Sequence, residues 1–303
     1  LAAGSSRLTR SMPMIATCKP YLGRVGAACA AMLLIGACDD KAPSSGASKQ
    51  PPADSTEKQT EAPQGAPPAA EDPADADLAL LGQAVGLVSK REFEAAREIA
   101  GRYAKSNPSD GRAEFIIGLS YYGAGNRGRA VPHFERALEL SPDYTLTRRY
   151  YGECLFFLGD TEGARREYEA WCAAEPDDPT SHYLVGVVDL EEAHLADAEA
   201  RFRQAIELFD RMPAGDPRRR AFVGIRARSH ARLGEVHFVR EEYEAARREL
   251  IAATQADPHY VSAFFTLSQV YRRLGEDELA EQALARFQAG KRAAIEAEGG
   301  DRE

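Results

Sequence analysis

No run of eighteen apolar residues occurs in this 303-residue chain, so no segment has the length of a membrane-spanning helix. Cysteine is scarce. Of five, Cys18, Cys29 and Cys38 crowd the N-terminal segment, and only Cys154 and Cys172 lie in the body. That number excludes a disulfide-built scaffold, and the lack of a CxxC pair removes a zinc ribbon. The catalytic signatures GxSxG, HExxH and the P-loop are also missing, so no enzyme activity is expected. Nor is there an excess of basic charge. With 38 basic and 47 acidic residues the formal charge is −9. Residues 1–37 hold Arg7, Arg10, Lys19 and Arg24 and no acid, which leaves a still more acidic body. Nonspecific nucleic-acid binding needs a basic face, so no nucleic-acid partner is expected.

The opening segment has the order of an export signal. Lys19 and Arg24 precede the apolar run Val25–Ala37, which is too short to span a bilayer and suits the hydrophobic part of a cleaved leader. Leu1, Met12 and Met14 are alternative starts. The run ends in Ile35-Gly36-Ala37-Cys38, which resembles the bacterial lipobox. That resemblance implies a lipid on the Cys38 thiol, cleavage before it, and a stable anchor once more than one acyl chain is attached. Residues 1–37 are therefore expected to be a lipoprotein signal peptide. The alternative is an ordinary signal and a soluble periplasmic protein. Asp39 and Asp40 resemble the pair that retains enteric lipoproteins in the inner membrane. They equally begin an acidic linker, so inner versus outer membrane stays open.

From Asp39 to about Asp75 the chain is Pro, Ala, Ser and acid, without Leu, Ile, Val or an aromatic residue. Such a stretch cannot bury enough apolar surface to offset its ordering entropy. Residues 38–76 are expected to form a disordered tether with a reach on the order of 35 Å.

A helical period then takes over and repeats. Pro108, Pro142 and Pro176 follow at 34-residue intervals, and Pro258 closes a later unit. A helix-B alanine recurs at Ala96, Ala130, Ala164, Ala198, Ala246 and Ala280. Twelve residues before each stands a small helix-A residue: Ala84, Gly118, Gly152, Gly186, Gly234 and Ser268. Small residues on both helices imply close antiparallel packing. Four residues after the alanine comes a bulky one, as in Phe134, Tyr168, Phe202, Leu250 and Leu284. Gly125-Asn126 and Gly159-Asp160 are expected to turn the chain between helices. This order resembles the tetratricopeptide repeat, most plainly in EFIIGLSYYGAGNRGRAVPHFERALELSP.

The resemblance implies an all-α, right-handed superhelical solenoid of about six helix-turn-helix repeats behind the disordered linker. The repeats fall at about 77–110, 111–144, 145–178, 179–212, 227–260 and 261–294. An insertion occupies 213–226 and a C-terminal cap 295–303. Tyr103, Trp171 and Phe287 replace a second small helix-B residue, so those hairpins must splay or repack. Asp216-Pro217 reads as an N-cap with proline at the first helical position, lengthening helix A of the fifth repeat.

His182, His230 and His237 fall in inward columns and read as core histidines, so neither a metal nor a cofactor is expected. By the antiparallel register Cys154 and Cys172 lie too far apart to bridge and should be separate thiols.

The resemblance further implies a concave groove lined by the A helices that takes a peptide or protein segment. Its candidate residues are Phe115, Leu119 and Tyr122; Arg149, Tyr150, Glu153 and Phe156; Tyr183, Val187 and Leu190. They continue with Arg228, Arg232, Glu235 and Phe238, then Phe265, Gln269, Arg272 and Arg273. The N-terminal part is apolar and aromatic, and the C-terminal part adds arginines suited to carboxylates. The paired Lys and Asn of the chaperone-binding carboxylate clamp are missing. A second candidate surface is Arg218-Arg219-Arg220 with Arg226, weighed against a solvated helix start. Self-association through Leu78, Leu81, Val85 and Val88 is also open.

Overall fold

The computed structural model describes residues 73–300, with side chains placed for 77–296. The signal segment, Cys38 and the tether up to residue 72 lie outside the described residues. Twelve helices and no strand occur among the described residues. They pair as α1 (Pro73–Ser89) with α2 (Phe93–Ser106), α3 (Gly111–Gly123) with α4 (Arg127–Leu140), and α5 (Leu146–Leu158) with α6 (Thr161–Ala174). Then come α7 (Pro179–Glu191) with α8 (Leu195–Arg211), α9 (Arg219–Val239) with α10 (Tyr243–Ala256), and α11 (Val261–Leu274) with α12 (Asp277–Gly300). Helix α1 begins four residues before 77, inside the stretch expected as tether. Proline suits a first helical turn, where Pro73 stands.

Each hairpin turns through one residue in the left-handed region. These are Arg91, Gly125, Gly159, Ala193, Glu241 and Gly275, with φ between 61° and 92°. Glycine takes this conformation without steric cost, so the three turns without it carry local strain. Side-chain caps start several helices. The Asp110 carboxylate accepts from the Arg112 N–H at 2.9 Å, Asp160 from Gly163 at 2.8 Å, and Asp178 from Thr180 at 2.7 Å.

The helix-A glycines prove to make room for the bulky residue of helix B. A Cβ at Gly118 would stand 2.6 Å from the Phe134 ring. At Gly152 it would meet Tyr168 at 2.5 Å, at Gly186 Phe202 at 2.8 Å, and at Gly234 Leu250 at 2.7 Å. The helix-B alanines are buried beside these contacts, but the space the glycine leaves is filled from four residues further on. Polar pairs recur outside the apolar seam at a spacing of nineteen residues. They are Glu114–His133 at 2.7 Å, Arg148–Glu167 at 2.8 Å, His182–Arg201 at 3.5 Å and His230–Glu249 at 2.8 Å. Tyr103 and Trp171 are buried despite their bulk, so those hairpins repack around them. The Tyr103 hydroxyl donates to Asp110 at 2.5 Å and accepts from Arg112 at 3.0 Å.

Helix α9 has 21 residues where α7 has 13. Its start differs from the sequence expectation. Asp216 caps a single turn, accepting from the Arg218 N–H at 2.9 Å, and the helix proper begins at Arg219. The Arg219 guanidinium donates to the carbonyls of Phe209 (3.0 Å) and Met212 (2.6 Å), supplying donors that the end of α8 lacks. Arg226 pairs with Asp210 at 2.8 Å and Arg218 with Asp216 at 2.8 Å. The arginine run thus staples the inserted segment to α8. The added turns bring Phe222 and Ile225 onto the core around α7, and every residue of Pro179–Asp189 is buried.

Three buried clusters form the core. One runs from Leu81 to Cys154, one from Ala164 to Val236, and one from Ala231 to Ala283. Helix α12 continues to Gly300, past the expected end of the sixth repeat.

Candidate functional site

Helix A of one hairpin packs on helix A of the next at four of the five junctions, while consecutive B helices stay further apart. The A helices are therefore the inner layer, and their unpaired stripe is the inner face.

The structure divides the candidate residues into two kinds. Phe115, Leu119, Tyr150, Tyr183 and Val187 are buried in the core. Phe115 meets Phe134, Tyr144 and Tyr150, with ring centroids 6.0, 4.9 and 5.9 Å apart. Tyr183 packs on Phe202 at 5.9 Å. These five fill the seams between neighbouring helices and offer almost no surface. That corrects the expected apolar lining: these five pack inside and between the hairpins rather than facing the groove. Tyr122, Arg149, Glu153, Phe156, Leu190, Arg228, Arg232, Glu235, Phe238 and Gln269 are half-buried, and Phe265, Arg272 and Arg273 are exposed.

The accessible residues form a charged and aromatic row. The Tyr122 hydroxyl donates to Glu153 at 2.6 Å, and Arg149 pairs with the same carboxylate at 3.3 Å. Burial, and then the Glu153 charge, raise the Tyr122 hydroxyl well above its ordinary pKa. Arg232 pairs with Glu235 at 2.6 Å. Arg228 lies with its guanidinium 5.7 Å from the Tyr183 ring centroid, and its Nε donates to the Gly224 carbonyl at 3.0 Å. Phe238 meets Tyr243 at 5.8 Å, and Phe265 meets Phe287 at 5.1 Å.

Sequence reasoning missed Tyr260, whose hydroxyl burial pushes up to about 12, within electrostatic reach of Tyr183 and Arg232. A signal was present. Tyr144 and Tyr260 each stand two residues after a closing proline, and Tyr144 likewise reaches inward, onto Phe115.

His182, His230 and His237 are accounted for by structural partners: His182 bonds the Pro176 carbonyl (3.0 Å), His230 Glu249 (2.8 Å) and His237 Glu242 (2.6 Å). Among the described residues no group of three or more His, Cys, Asp or Glu side chains is placed to hold a metal ion. Cys154 is buried and Cys172 half-buried, and both are free thiols. Among the described residues no helix is long and apolar enough to cross a membrane.

An all-helical repeat solenoid with an aromatic and charged inner face belongs to the class of protein-interaction scaffolds. Two family models, both described as tetratricopeptide repeat, match residues 121–188 in one case and residues 81–144 and 232–295 in the other. Together they span more than half of the chain, which belongs to the tetratricopeptide-repeat family. A curated relative, the DnaJ homolog subfamily C member 7 homolog of Schizosaccharomyces pombe, is 25% identical over 199 residues. The match takes in 62% of this chain and 39% of the relative, so the chain spans well under half of that protein. Among solved structures, a chain of the APC/C hetero-tetramer Cut9–Hcn1 superposes with a TM-score of 0.60 at 19% identity, over 71% of this chain and 40% of that one. PilW, described as a widely conserved type IV pilus biogenesis factor, gives a TM-score of 0.58 at 15% identity, over 71% of this chain and 93% of its own. At these identities the likeness is one of fold.

Proposed function

We propose that this chain is a membrane-tethered scaffold of the bacterial cell envelope that holds a peptide or protein segment along the inner face of its A helices. In this reading Cys38 carries the lipid, the solenoid faces the periplasm, and the bound partner belongs to an envelope assembly, secretion or cell-wall complex. The observation that carries the groove is the accessible row running from Phe156 through Arg228 and Phe238 to Phe265, set on a layer of helices whose own seams are already filled. Rigid aromatic and arginine side chains of this kind anchor protein interfaces. The anchor rests on the lipobox-like Ile35-Gly36-Ala37-Cys38 at the end of an apolar run. PilW is described as a type IV pilus biogenesis factor, and a biogenesis role of that kind would suit a tethered groove.

The test places a photo-crosslinking amino acid at Phe238 or Phe265, and at the exposed outer positions Arg136 or Arg166, in the full chain expressed in its own cells. A partner captured from the inner positions and not from the outer ones is expected. Equal capture from both faces refutes the groove. Cys38→Ser is expected to move the protein from the membrane to the soluble periplasmic fraction. Unchanged fractionation refutes the lipid anchor and leaves the groove standing.

A further inference from the structure

The three half-buried arginines of the inner face are not equivalent. Arg149 is matched by Glu153 and Arg232 by Glu235. Arg228 has no carboxylate within ion-pairing distance among the described residues. Its Nε donates to the Gly224 carbonyl, and its terminal nitrogens meet no acceptor among the described residues and stay open to solvent. An unpaired guanidinium held in this way keeps its bidentate edge available to an anion. The surroundings share the deficit. The Tyr183 hydroxyl, on a side chain only 1% exposed, has no hydrogen-bond partner, and neither does the buried Nε of Arg232. Those two atoms are sealed from solvent, so the donors this part of the face offers a ligand are the terminal nitrogens of Arg228, one helical turn from Arg232. A carboxylate is an acceptor-only group whose two oxygens match a guanidinium edge. An amine or a further guanidinium would worsen the imbalance.

Resting on the groove reading above, we infer that the inner face between α7 and α9 is a carboxylate subsite, in which Arg228 over Tyr183, beside Arg232, binds an Asp or Glu side chain of an acidic partner segment. The rest of the face sets the context. Glu235 already satisfies one edge of Arg232, so the subsite has room for one carboxylate rather than a run of them. Phe238 lies on the same helix roughly 15 Å from Arg228 and supplies an apolar flank, so the favoured segment combines a single acid with apolar residues several positions away. Arg228 is the principal anchor, and Tyr183 positions it by stacking.

The experiment selects peptides from a phage-displayed random dodecapeptide library on the immobilised full chain, and repeats the selection on Arg228→Gln. The wild type is expected to enrich peptides with an acid at one fixed position, and the variant to lose that preference. For a selected peptide, changing its acid to the amide is expected to weaken binding to the wild type about tenfold or more, and to change binding to Arg228→Gln little. Arg220→Gln, an exposed site near the start of the same helix, is the control expected to bind as the wild type does. Circular dichroism checks that Arg228→Gln is folded. Should it not be, the peptide substitution on the wild type still decides the matter, since an amide that binds as well as the acid overturns the subsite. Peptides that bind without a fixed acid, or an acid preference that survives Arg228→Gln, overturn the subsite and leave the groove standing. No enrichment at all, together with no inner-face crosslink in cells, overturns both.

Discussion

Gly118→Ala offers a direct test of how the hairpins close. Normally the exchange of a helical glycine for alanine is stabilising, by about 0.5–1 kcal/mol, because alanine loses less entropy on folding. Here the new methyl would stand 2.6 and 2.7 Å from two ring carbons of Phe134. Phe134 is fully buried and boxed in by Phe115 and Tyr150, with ring centroids 6.0 and 6.3 Å away, so it has nowhere to retreat. Overpacking of this sort costs about 1–3 kcal/mol, which outweighs the helix gain and leaves a net loss of about 1–2 kcal/mol. Gly101, in the middle of α2, is the comparison. A Cβ there meets nothing within 4 Å, so Gly101→Ala should raise stability by about 0.5–1 kcal/mol. Urea titrations followed at the helical circular dichroism band, with unchanged slope, give the two midpoints side by side. In a Phe134→Ala background, Gly118→Ala should become neutral or favourable, because the ring it strikes is gone. A Gly118→Ala protein as stable as the wild type would refute the reasoning. So would a penalty that survives removal of the ring.

Asp110→Asn keeps an oxygen for the helix cap and removes the charge together with the second acceptor that Tyr103 and Arg112 use. Burial works against the Asp110 carboxylate, but hydrogen bonds from Arg112 and Tyr103 outweigh it and hold the pKa at about 2, below the ordinary 3.8. A depressed carboxylate contributes stability above its unfolded pKa and loses it as pH falls through the folded one. With solvent screening of this partly exposed pair allowed for, the wild type should exceed the variant by about 1 kcal/mol at pH 7, with the gap closing as the pH falls from 4 to 2. A pH-independent gap in urea midpoints would count against the pairing. At the hairpin turns, Gly159→Ala should lower the melting temperature, since Gly159 holds φ 92°, and Ala193→Gly should raise it slightly, since Ala193 holds φ 61°. Calorimetry showing the same sign for both changes would remove turn strain as the cause.

The hairpins were readable because their rule is local. The twelve-residue interval between a small residue and alanine, with a bulky residue four further on, follows from two helices and one short turn. Gly118, Ala130 and Phe134 obey it, although the ring rather than the alanine proves to fill the glycine's space. The inner face was less legible. Periodicity reports the angle of a residue around its own helix, not how near the next hairpin comes. Phe115, Tyr150 and Tyr183 share the stripe with Tyr122 and Phe265, yet the first three vanish into the seams. The start of α9 was misjudged for a related reason. Asp216 and Pro217 have the chemistry of a helix start, and the chain uses them for a single turn because Arg219 must reach back to the carbonyls of α8. No local pattern announces a contact made across the chain.

The buried clusters do not share the frame of the sequence repeat. The first ends within α5 at Cys154 and the second begins in α6 at Ala164, so the third hairpin has one foot in each. Helix α9 likewise gives Leu233 to the second cluster and Ala231 to the third. A 34-residue block is therefore not an interchangeable part of this protein. Excising or duplicating the third hairpin would disturb two interiors at once, and even a crossover at the α5–α6 turn would part Gly152 from Tyr168 and take Leu155 and Phe156 away from the second cluster. A lineage that lengthened or shortened this solenoid would have to refit the interiors on both sides of every joint, because neighbouring clusters share helices.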